Sequence, residues 1–418
     1  MLAIWEKRLK MGKTKDVGKP TKIFNKNFIC VMFANFMLAL SHSAVNPLVA
    51  TYTTHLRASV EIMGLLTGMF FGVSFLLKPV TGPLITKVDK RILLIFVFAI
   101  GGVASFGYAA FHTLPAFVAF RFLSGVQYSL VGSLIMTLAA ANLPEEKMAS
   151  GLGLYGVGGA VATSIAPSIG LGLLNFGTNA RDEGFGFTLV FLFAAIILTL
   201  AIIPGIMLSP DRESKEDKKG AGVWYKNIVT IYAVPVTVTM FFLMAGNSLY
   251  NSYMVEFAKE QGIAGISAFY TVLALGLMAS RIISGRLTDK LGVAKTIIPA
   301  LLLYSVSFFI VGSSTSLGSV LGAALLAALG YGSTQPALQA MALQSVEPIK
   351  RSVASNTLYV GMDLGLFCGP VFGGWVYARS DFATMYKLAP ILVFVTLACF
   401  LVALPIFKKR LKFLAENH

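Results

Sequence analysis

Long apolar segments, repeated along the whole chain, are the feature that most limits what this sequence can fold into. Each is close to the length that a helix needs to cross about 30 Å of hydrocarbon at about 1.5 Å per residue. We count twelve, at 28–50, 61–82, 92–111, 116–139, 151–174, 186–208, 227–253, 265–285, 296–313, 319–342, 354–378 and 386–407. This pattern predicts an all-α membrane protein with twelve transmembrane helices.

The balance of apolar and charged residues excludes a soluble protein. Of the 418 residues, 56% are hydrophobic and 13% are charged, and the mean hydropathy is +0.76. Soluble domains carry charge on about a quarter of their residues. Because a soluble protein this apolar would have too little polar surface to cover itself, we predict a multi-pass membrane protein.

The formal net charge of +15 raises the question of nucleic acid binding, and the positions of the basic residues answer it. With the amino terminus placed inside, 26 Lys and Arg residues fall in inner segments and 5 in outer ones. This asymmetry follows the positive-inside rule and predicts that both termini are cytoplasmic. The basic excess therefore indicates membrane topology and contact with membrane lipid, and not a nucleic acid partner. Compact loops, and residues 1–27 that lack the apolar core of a signal peptide, further predict a bacterial inner membrane.

Sequence motifs give no support for a cofactor, a metal site or an enzyme. Cys30, Cys368 and Cys399 fall inside apolar segments without metal-ligand spacing, so we interpret them as packing residues. The run GVGG at 156–159 has no strand before it and no Lys-Ser/Thr after it, so it is not a phosphate loop. No Ser-His-Asp, HExxH or paired-carboxylate arrangement occurs at membrane depth. We therefore predict no cofactor, no metal and no enzymatic activity, with energy supplied by an ion gradient.

A charged linker and an internal repeat divide the chain into two halves. The run SPDRESKEDKKGAG at 209–222 lies between the sixth and seventh apolar segments. An offset of 203 residues aligns Lys78 with Arg281 and Pro167 with Pro370. Internal repeats are common in secondary transporters. We predict a basic cytoplasmic tail at 1–27, six-helix bundles at 28–208 and 227–407, a cytoplasmic linker at 209–226 and a cytoplasmic tail at 408–418.

Short motifs resemble those of a transporter family. The stretch GRLTDKLG at 285–292 resembles the loop between the second and third helices of each half in the major facilitator superfamily, and its first copy, GPLITK at 82–87, lacks the acidic residue. RFLSGVQYS at 121–129 is similar to the fourth-helix motif, and APSIG at 166–170 to the fifth-helix motif of the drug–proton antiporter branch, with a fuller copy, GPVFGG, at 369–374. The resemblance implies the major facilitator fold, with two pseudo-symmetric six-helix bundles in a monomeric small-molecule transporter.

The resemblance also implies a gate at the cytoplasmic ends of the helices. A tight turn would carry Asp289 and Arg286, which would hold neighbouring helix ends together while the cavity faces outward. The residues assigned to this gate are Gly285, Arg286, Asp289, Lys290, Gly82, Lys78 and Arg281. The alternative is that these charges only set topology and cap helix ends.

Asp363 is the acidic residue, of 19 in the chain, that lies well inside an apolar segment. It is about nine residues, or ~14 Å, from the cytoplasmic end of its helix. Ionisable groups inside a membrane are costly and therefore indicate function. We predict that Asp363 carries protons. The alternatives are a structural role, through bonds to backbone or Tyr groups, and direct contact with the substrate.

Besides Lys387, at the edge of the last segment, three cations lie within the apolar segments. Arg121 needs an acidic partner, carbonyl groups or an anionic substrate, and the resemblance implies that it assists proton transfer or compensates charge. Its depth differs by ~10 Å from that of Asp363, which argues against a direct pair. Lys78 and Arg281 either extend to the membrane surface or form a basic ring suited to an organic anion.

Polar and aromatic residues at helical spacing predict the substrate site. The first, fourth, seventh and tenth helices line the central cavity in the resembled family. The predicted substrate-binding residues are Asn35, His42, Asn46, Gln127, Asn247, Tyr250, Asn251, Tyr270, Gln335, Gln339 and Tyr359. Hydrogen bonding between helices is the alternative role for each amide. A mixed aromatic and amide lining suits an amphipathic or aromatic small molecule.

Together these features predict a secondary active transporter that exports a small amphipathic organic molecule by alternating access, coupled to protons. The first alternative is proton-coupled uptake of an organic anion such as a carboxylate, bound by Arg121 and by the Lys78 and Arg281 positions. A non-transporting receptor or a hydrolytic membrane enzyme is the remaining alternative.

Overall fold

The computed structural model describes residues 23–144, 148–209, 229–347 and 351–416. Within these ranges it leaves aside the side chains of residues 82, 83, 86, 87, 148–150, 152, 153, 282, 285, 286, 289, 290, 351, 352 and 415. The predicted linker at 209–226 and the predicted tail at 1–27 therefore lie mostly outside the described residues.

Twelve long helices, which we number α1 to α12, build the described structure. They are α1 (Lys26–Val45, a 3-10 turn at Asn46–Leu48 and Val49–His55), α2 (Val60–Lys87), α3 (Lys90–Ala110), α4 (Leu114–Ala141), α5 (Met148–Ala180), α6 (Glu183–Leu200 and Ile202–Met207), α7 (a 3-10 turn at Ile231–Ala233 and Val234–Glu260), α8 (Ser267–Leu291), α9 (Val293–Gly312), α10 (Leu317–Gln344), α11 (Arg351–Tyr377) and α12 (Phe382–Leu388 and Pro390–Glu416).

Each predicted segment corresponds to one of these helices, so the prediction of an all-α fold with twelve helices is confirmed. Within the described residues, ten helices are long and apolar enough to cross a membrane by length and composition. A helix satisfies its own backbone hydrogen bonds, which hydrocarbon requires. The tail predicted at 408–418 differs in one respect, because α12 continues through it to Glu416.

Hydrogen bonds between helix ends define the direction of the bundle. The amide of Asn25, which caps the start of α1, donates to the backbone oxygen of Asn142 at the end of α4 (2.7 Å). The backbone N–H of Ser209, at the end of α6, donates to the side-chain oxygen of Asn27 (3.2 Å). The start of α1 therefore lies beside the ends of α4 and α6. We call this the termini end of the bundle, and the opposite one the far end.

The helix bounds repeat at the offset of 203 residues that the sequence shows. Leu114–Ala141 of α4 maps onto Leu317–Gln344 of α10, and the starts of α3 and α9 differ by the same number. We refer to α1–α6 as the N-terminal half and α7–α12 as the C-terminal half.

The charged stretch 285–292 is helical as far as Leu291, so the predicted tight turn is shorter than the sequence indicates. α8 continues to Leu291, and only Gly292 separates it from α9. Gly292 has a φ of +83°, in the left-handed region where glycine ends helices without steric cost. In the N-terminal half, the corresponding Asp89 caps α3 instead, because its carboxylate accepts from the backbone N–H of Arg91 (2.8 Å).

Glycines allow the two halves to meet closely along α2 and α11. A methyl group at Gly68 would lie 2.5 Å from the carbonyl oxygen of Phe367, and one at Gly64 would lie 2.7 Å from that of Pro370. Contacts of this kind are available only to glycine. The α5–α8 and α1–α7 pairs also meet across the halves. These contacts enclose the space between the halves.

Candidate functional site

A cavity of about 400 Å³ lies between the two halves. α1, α2, α4 and α5 line it on one side, and α7, α8, α10 and α11 on the other. Its lining mixes amides, hydroxyls, aromatic rings, thioethers and one cation, and includes Ser43, Asn46, Thr67, Phe71, Arg121, Tyr128, Thr163, Met244, Asn247, Asn251, Tyr270, Tyr331 and Met362. Small-molecule sites have this size and this mixture of apolar wall and few polar groups.

An ion pair joins the two halves near this cavity. The Nζ atom of Lys78 on α2 lies 2.7 Å from a carboxylate oxygen of Asp363 on α11. The same oxygen accepts from the hydroxyl of Ser74 (3.1 Å), and Nζ also donates to the carbonyl oxygen of Tyr359 (3.2 Å) and lies 5.3 Å from the centre of its ring. Asp363 is only 4% exposed. Lys78 therefore binds Asp363 inside the bundle. The alternative in which it extends to the membrane surface is wrong.

The internal repeat makes this pair asymmetric. At the offset of 203 residues Lys78 corresponds to Arg281, but Asp363 corresponds to Ala160. Arg281 is exposed and donates through Nη2 to the side-chain oxygen of Gln335 (3.2 Å), within the C-terminal half. The two equivalent cations therefore have different partners, and only the N-terminal one forms an ion pair with the carboxylate.

Arg121 is the cation that lines the cavity, and it is 2% exposed. Its guanidinium donates to the carbonyl oxygens of Leu66 (3.1 Å) and Thr67 (3.2 Å) on α2, and lies 5.0 Å from the centre of the Phe70 ring. Arg121 is therefore bound by carbonyl groups, one of the three kinds of partner that the sequence left open. Asp363 pairs with Lys78 instead, in agreement with the argument from helix depth.

His42 and Gln127 form a pair inside the N-terminal half. His42 Nε2 lies 3.0 Å from Gln127 Oε1, and the imidazole packs against the rings of Phe70 and Tyr128. Gln127 Nε2 is buried and has no hydrogen-bond partner in the structure. Both residues line a small void of about 20 Å³, next to Arg121, and neither lines the main cavity.

The other predicted substrate residues separate into two groups. Those that line the cavity are Asn46, Asn247, Asn251 and Tyr270. Tyr250 lies outside it, in the core of the C-terminal half, where its hydroxyl contacts Ser307 (2.9 Å) and its ring stacks on Phe308. Neighbouring positions of a helix lie on different faces. Tyr250 therefore points away from the cavity that Asn247 and Asn251 line.

Four predicted residues lie toward the termini end of the cavity or beside it. Asn35 donates to the carbonyl oxygen of Tyr155 (3.3 Å), joining α1 to α5. Gln335 accepts from Arg281, and Gln339 is half-buried one turn further along α10. Tyr359 is 44% exposed and contacts Lys78. None of the four is among the residues that line the main cavity.

The cavity and the ion pair also involve residues that the sequence pattern did not predict for the site. Tyr128 and Tyr331 line the cavity from α4 and α10. Tyr128 lies seven residues after Arg121, and Tyr331 lies four before Gln335, so helical spacing could have identified both. Ser74 lies four residues before Lys78 and shares its face of α2.

At the far end, an exposed ion cluster bridges the halves. Glu183 at the start of α6 lies 2.9 Å from His55 Nδ1 and 3.5 Å from Lys259 Nζ at the end of α7. Because these side chains are 30–48% exposed, the contribution of each pair to stability is about 0–1 kcal/mol. α2 also packs closely on α11 across the halves, at Gly64 and Gly68.

The gate predicted at the charged stretch depends on side chains outside those described. The helices α2 and α8 contain five of the residues assigned to the gate, but the structure does not describe the contacts of these five: Gly285, Arg286, Asp289, Lys290 and Gly82. Their gate role stays a prediction. No cluster of three or more metal-ligating side chains is found among the described residues.

A twelve-helix bundle with a polar cavity between repeated halves defines a polytopic membrane transporter. The family model of the Major Facilitator Superfamily matches residues 31–292 and 236–416. The chain belongs to the Major Facilitator Superfamily.

Relatives with full-length similarity are transporters. An MFS-type transporter of Methanocaldococcus jannaschii is 22% identical over 384 residues, 88% of this chain and 95% of its own length. The multi-drug resistance efflux pump PmrA of Streptococcus pneumoniae is 25% identical over 386 residues, 86% of this chain and 91% of the pump. The staphylopine export protein of Staphylococcus aureus is 20% identical over 382 residues, 88% of this chain and 94% of that protein.

Among solved structures, a bacterial homolog of the human lysosomal transporter Spinster, in an inward-facing and unoccupied conformation, superposes with a TM-score of 0.78. Its sequence is 14% identical, and the match covers 94% of this chain and 99% of that one, so it shows the fold alone. Its membership of the Major Facilitator Superfamily makes the chain a multi-pass membrane transporter of a small molecule, and its sequence relatives make it similar to the drug-efflux branch. The prediction of a transporter and not an enzyme is confirmed.

Proposed function

We propose that this protein exports small amphipathic organic molecules in exchange for protons, by alternating access. The observation that carries the proposal is the Lys78–Asp363 pair, because it joins α2 to α11 across the two halves beside the cavity. A carboxylate in that position links its own charge to the contact between the halves.

The proposed cycle uses this link. Protonation neutralises Asp363 and removes the attraction that holds Lys78, so the halves lose a contact and rock about the cavity. Deprotonation on the other side of the membrane restores the pair. Arg121, fixed by the carbonyl groups of Leu66 and Thr67, keeps a constant positive charge in the cavity wall throughout this cycle.

The cavity supports a substrate with both apolar and hydrogen-bonding parts. Phe71, Tyr128 and Tyr331 provide aromatic surface, and Asn247 and Asn251 provide amides. Efflux is favoured over uptake by similarity to proteins named as multidrug resistance and export proteins.

The membrane orientation is part of the proposal. We infer that the termini end is cytoplasmic, that the membrane is a bacterial inner membrane and that the protein works as a monomer. Ser133 and Thr137 are exposed on the part of α4 nearest the termini end. Arg281 on α8 and Tyr359 on α11 are exposed near the same end. Because exposed polar groups are costly in hydrocarbon, they support a water-filled opening toward that end. The gate assigned to Arg286 and Asp289 would close it.

The test is substrate-induced proton movement in energised inside-out vesicles. A panel of lipophilic cations, neutral amphipathic compounds and carboxylates is added, and the internal pH is followed by a fluorescent base. The wild type is expected to release protons on addition of a substrate, and Asp363→Asn to release none. Glu61→Gln, which changes an exposed acid on α2, is the matched control and is expected to behave as the wild type. Proton release that persists in Asp363→Asn contradicts the proposal.

Uptake of an organic anion is the second candidate, favoured by one observation. Arg121 lines the cavity, and no described carboxylate forms a salt bridge with it. A carboxylate substrate would find a fixed cation there. Acid-stimulated accumulation of a carboxylate by whole cells, lost in Arg121→Gln and without proton release from vesicles on substrate addition, would favour uptake over efflux.

A further inference from the structure

A second cavity, separate from the central one, lies between the start of α7 and the end of α12. It is a groove of about 330 Å³ whose walls are formed mainly by Tyr232, Pro235, Ala403, Ile406 and Phe407. The walls are apolar, and the groove opens on the outer surface of the bundle, where Ile406 is 47% exposed. No step of the proposed transport cycle uses it.

One cation closes this groove at the termini end. The guanidinium carbon of Arg410 lies 3.8 Å from the centre of the Tyr232 ring, and its Nε donates to the carbonyl oxygen of Ser345 (3.2 Å). These two contacts fix the plane of the guanidinium. Among the described residues, its two terminal nitrogens make no hydrogen bond or ion pair, so they are available to an anion.

The surroundings of Arg410 are strongly basic. Lys408, Lys409 and Lys412 are exposed on the same end of α12, and Glu416 lies 3.8 Å from Lys412. The groove is apolar, lies on the membrane-facing surface and ends at a guanidinium of fixed orientation. It is therefore complementary to a lipid with an acyl chain and a phosphate. The extra lysines favour a headgroup with a net negative charge over a zwitterionic one.

We propose that this groove binds one anionic phospholipid, with an acyl chain between α7 and α12 and its phosphate on the terminal nitrogens of Arg410. A bidentate guanidinium–phosphate contact gives more geometric specificity than a lysine would. The lipid would brace α7 against α12 within the C-terminal half. The start of α7 also bonds to α11, because the backbone N–H of Thr230 donates to the Thr357 hydroxyl (2.9 Å). The site is independent of the substrate that the transporter carries.

The experiment is native mass spectrometry of the full-length protein in detergent, with added phosphatidylglycerol or phosphatidylcholine of equal chain length. The wild type is expected to retain phosphatidylglycerol in preference to phosphatidylcholine. Arg410→Gln is expected to lower phosphatidylglycerol retention about five-fold. Lys295→Gln, which removes an exposed cation on α9 near the termini end, is the matched control and should retain the lipid as the wild type does.

A second variant tests the groove itself. Ile406→Trp fills the groove while keeping Arg410, and is expected to lower phosphatidylglycerol retention as well. If Arg410→Gln does not fold, the Ile406→Trp variant tests the lipid site by itself. The proposal is overturned if both variants retain phosphatidylglycerol like the wild type, if the wild type retains the two lipids equally, or if glycerol phosphate without acyl chains displaces the bound lipid.

Discussion

Lys78 on α2 and Asp363 on α11 meet with 2.7 Å between the ammonium nitrogen and a carboxylate oxygen, although each belongs to a different half of the chain. Asp363 is almost fully buried, so water screens this contact weakly. A change of charge on either group therefore changes how firmly the two halves are held together.

Neutralising one member of this pair is expected to destabilise the protein more than neutralising both. Lys78→Gln or Asp363→Asn leaves one buried charge without its partner, which costs about 3–5 kcal/mol. The double variant leaves no charge and is expected to regain most of that loss. Thermal unfolding of the four proteins in one detergent measures the difference. Lys412→Gln with Glu416→Gln, an exposed pair on α12, is the control, with an expected coupling under about 1 kcal/mol. Strictly additive losses at Lys78 and Asp363 would refute a buried ion pair.

A carboxylate at position 160 is expected to create a second contact between the halves. Arg281 is the repeat equivalent of Lys78, and Ala160 that of Asp363, so Ala160→Asp on α5 would face Arg281 on α8. A partly exposed ion pair contributes about 1 kcal/mol, and the halves must break it in order to rock. The transport rate is therefore expected to fall about five-fold. Transport assays in vesicles measure it.

Two variants control this prediction. Ala160→Asn has the same shape without the charge and should transport normally. Arg281→Gln combined with Ala160→Asp should restore the rate. If Ala160→Asn slows transport as much as Ala160→Asp does, the effect comes from size and not from an ion pair.

Gly68→Ala is expected to loosen the far end of the bundle. Its added methyl group would lie 2.5 Å from the carbonyl oxygen of Phe367, so α2 and α11 must separate. Such overpacking costs about 1–3 kcal/mol. The unfolding temperature should fall, and a cysteine placed at Thr271, whose hydroxyl lies 3.4 Å from Ser168 across the halves, should react faster with a polar maleimide. Gly172→Ala, where no atom lies within 4 Å of the added methyl group, should change neither measurement.

Arg121→Lys is expected to reduce transport about ten-fold although the charge is kept. The guanidinium donates to the carbonyl oxygens of Leu66 and Thr67 from two different nitrogens, and an ammonium group cannot reproduce that planar geometry. Loss of one charge-assisted bond costs about 1.5–3 kcal/mol. Export rates in vesicles check this, with exposed Arg181→Lys as the control. A normal rate in Arg121→Lys would show that charge alone matters there.

The sequence alone determined the helices and their repetition. A bilayer requires about 20 apolar residues for each crossing and forces the backbone to satisfy its own hydrogen bonds, so segment length and composition predict each helix directly. The offset of 203 residues is likewise visible in the chain. It aligns the stretch at 82–87 with the start of the charged stretch at 285–292, and Pro167 with Pro370. Asp363 and Arg121 could be selected as functional candidates, because charge inside a membrane is rare and costly.

Only the tertiary structure decided which of these residues meet. Nothing local in the sequence joins Lys78 to Asp363, or sends Tyr250 to the core while Asn251 faces the cavity. Helical periodicity places residues on one face of a helix, but it does not tell which neighbour that face meets. That choice depends on the packing of helices far apart in the chain, where glycines such as Gly68 set the distance between backbones.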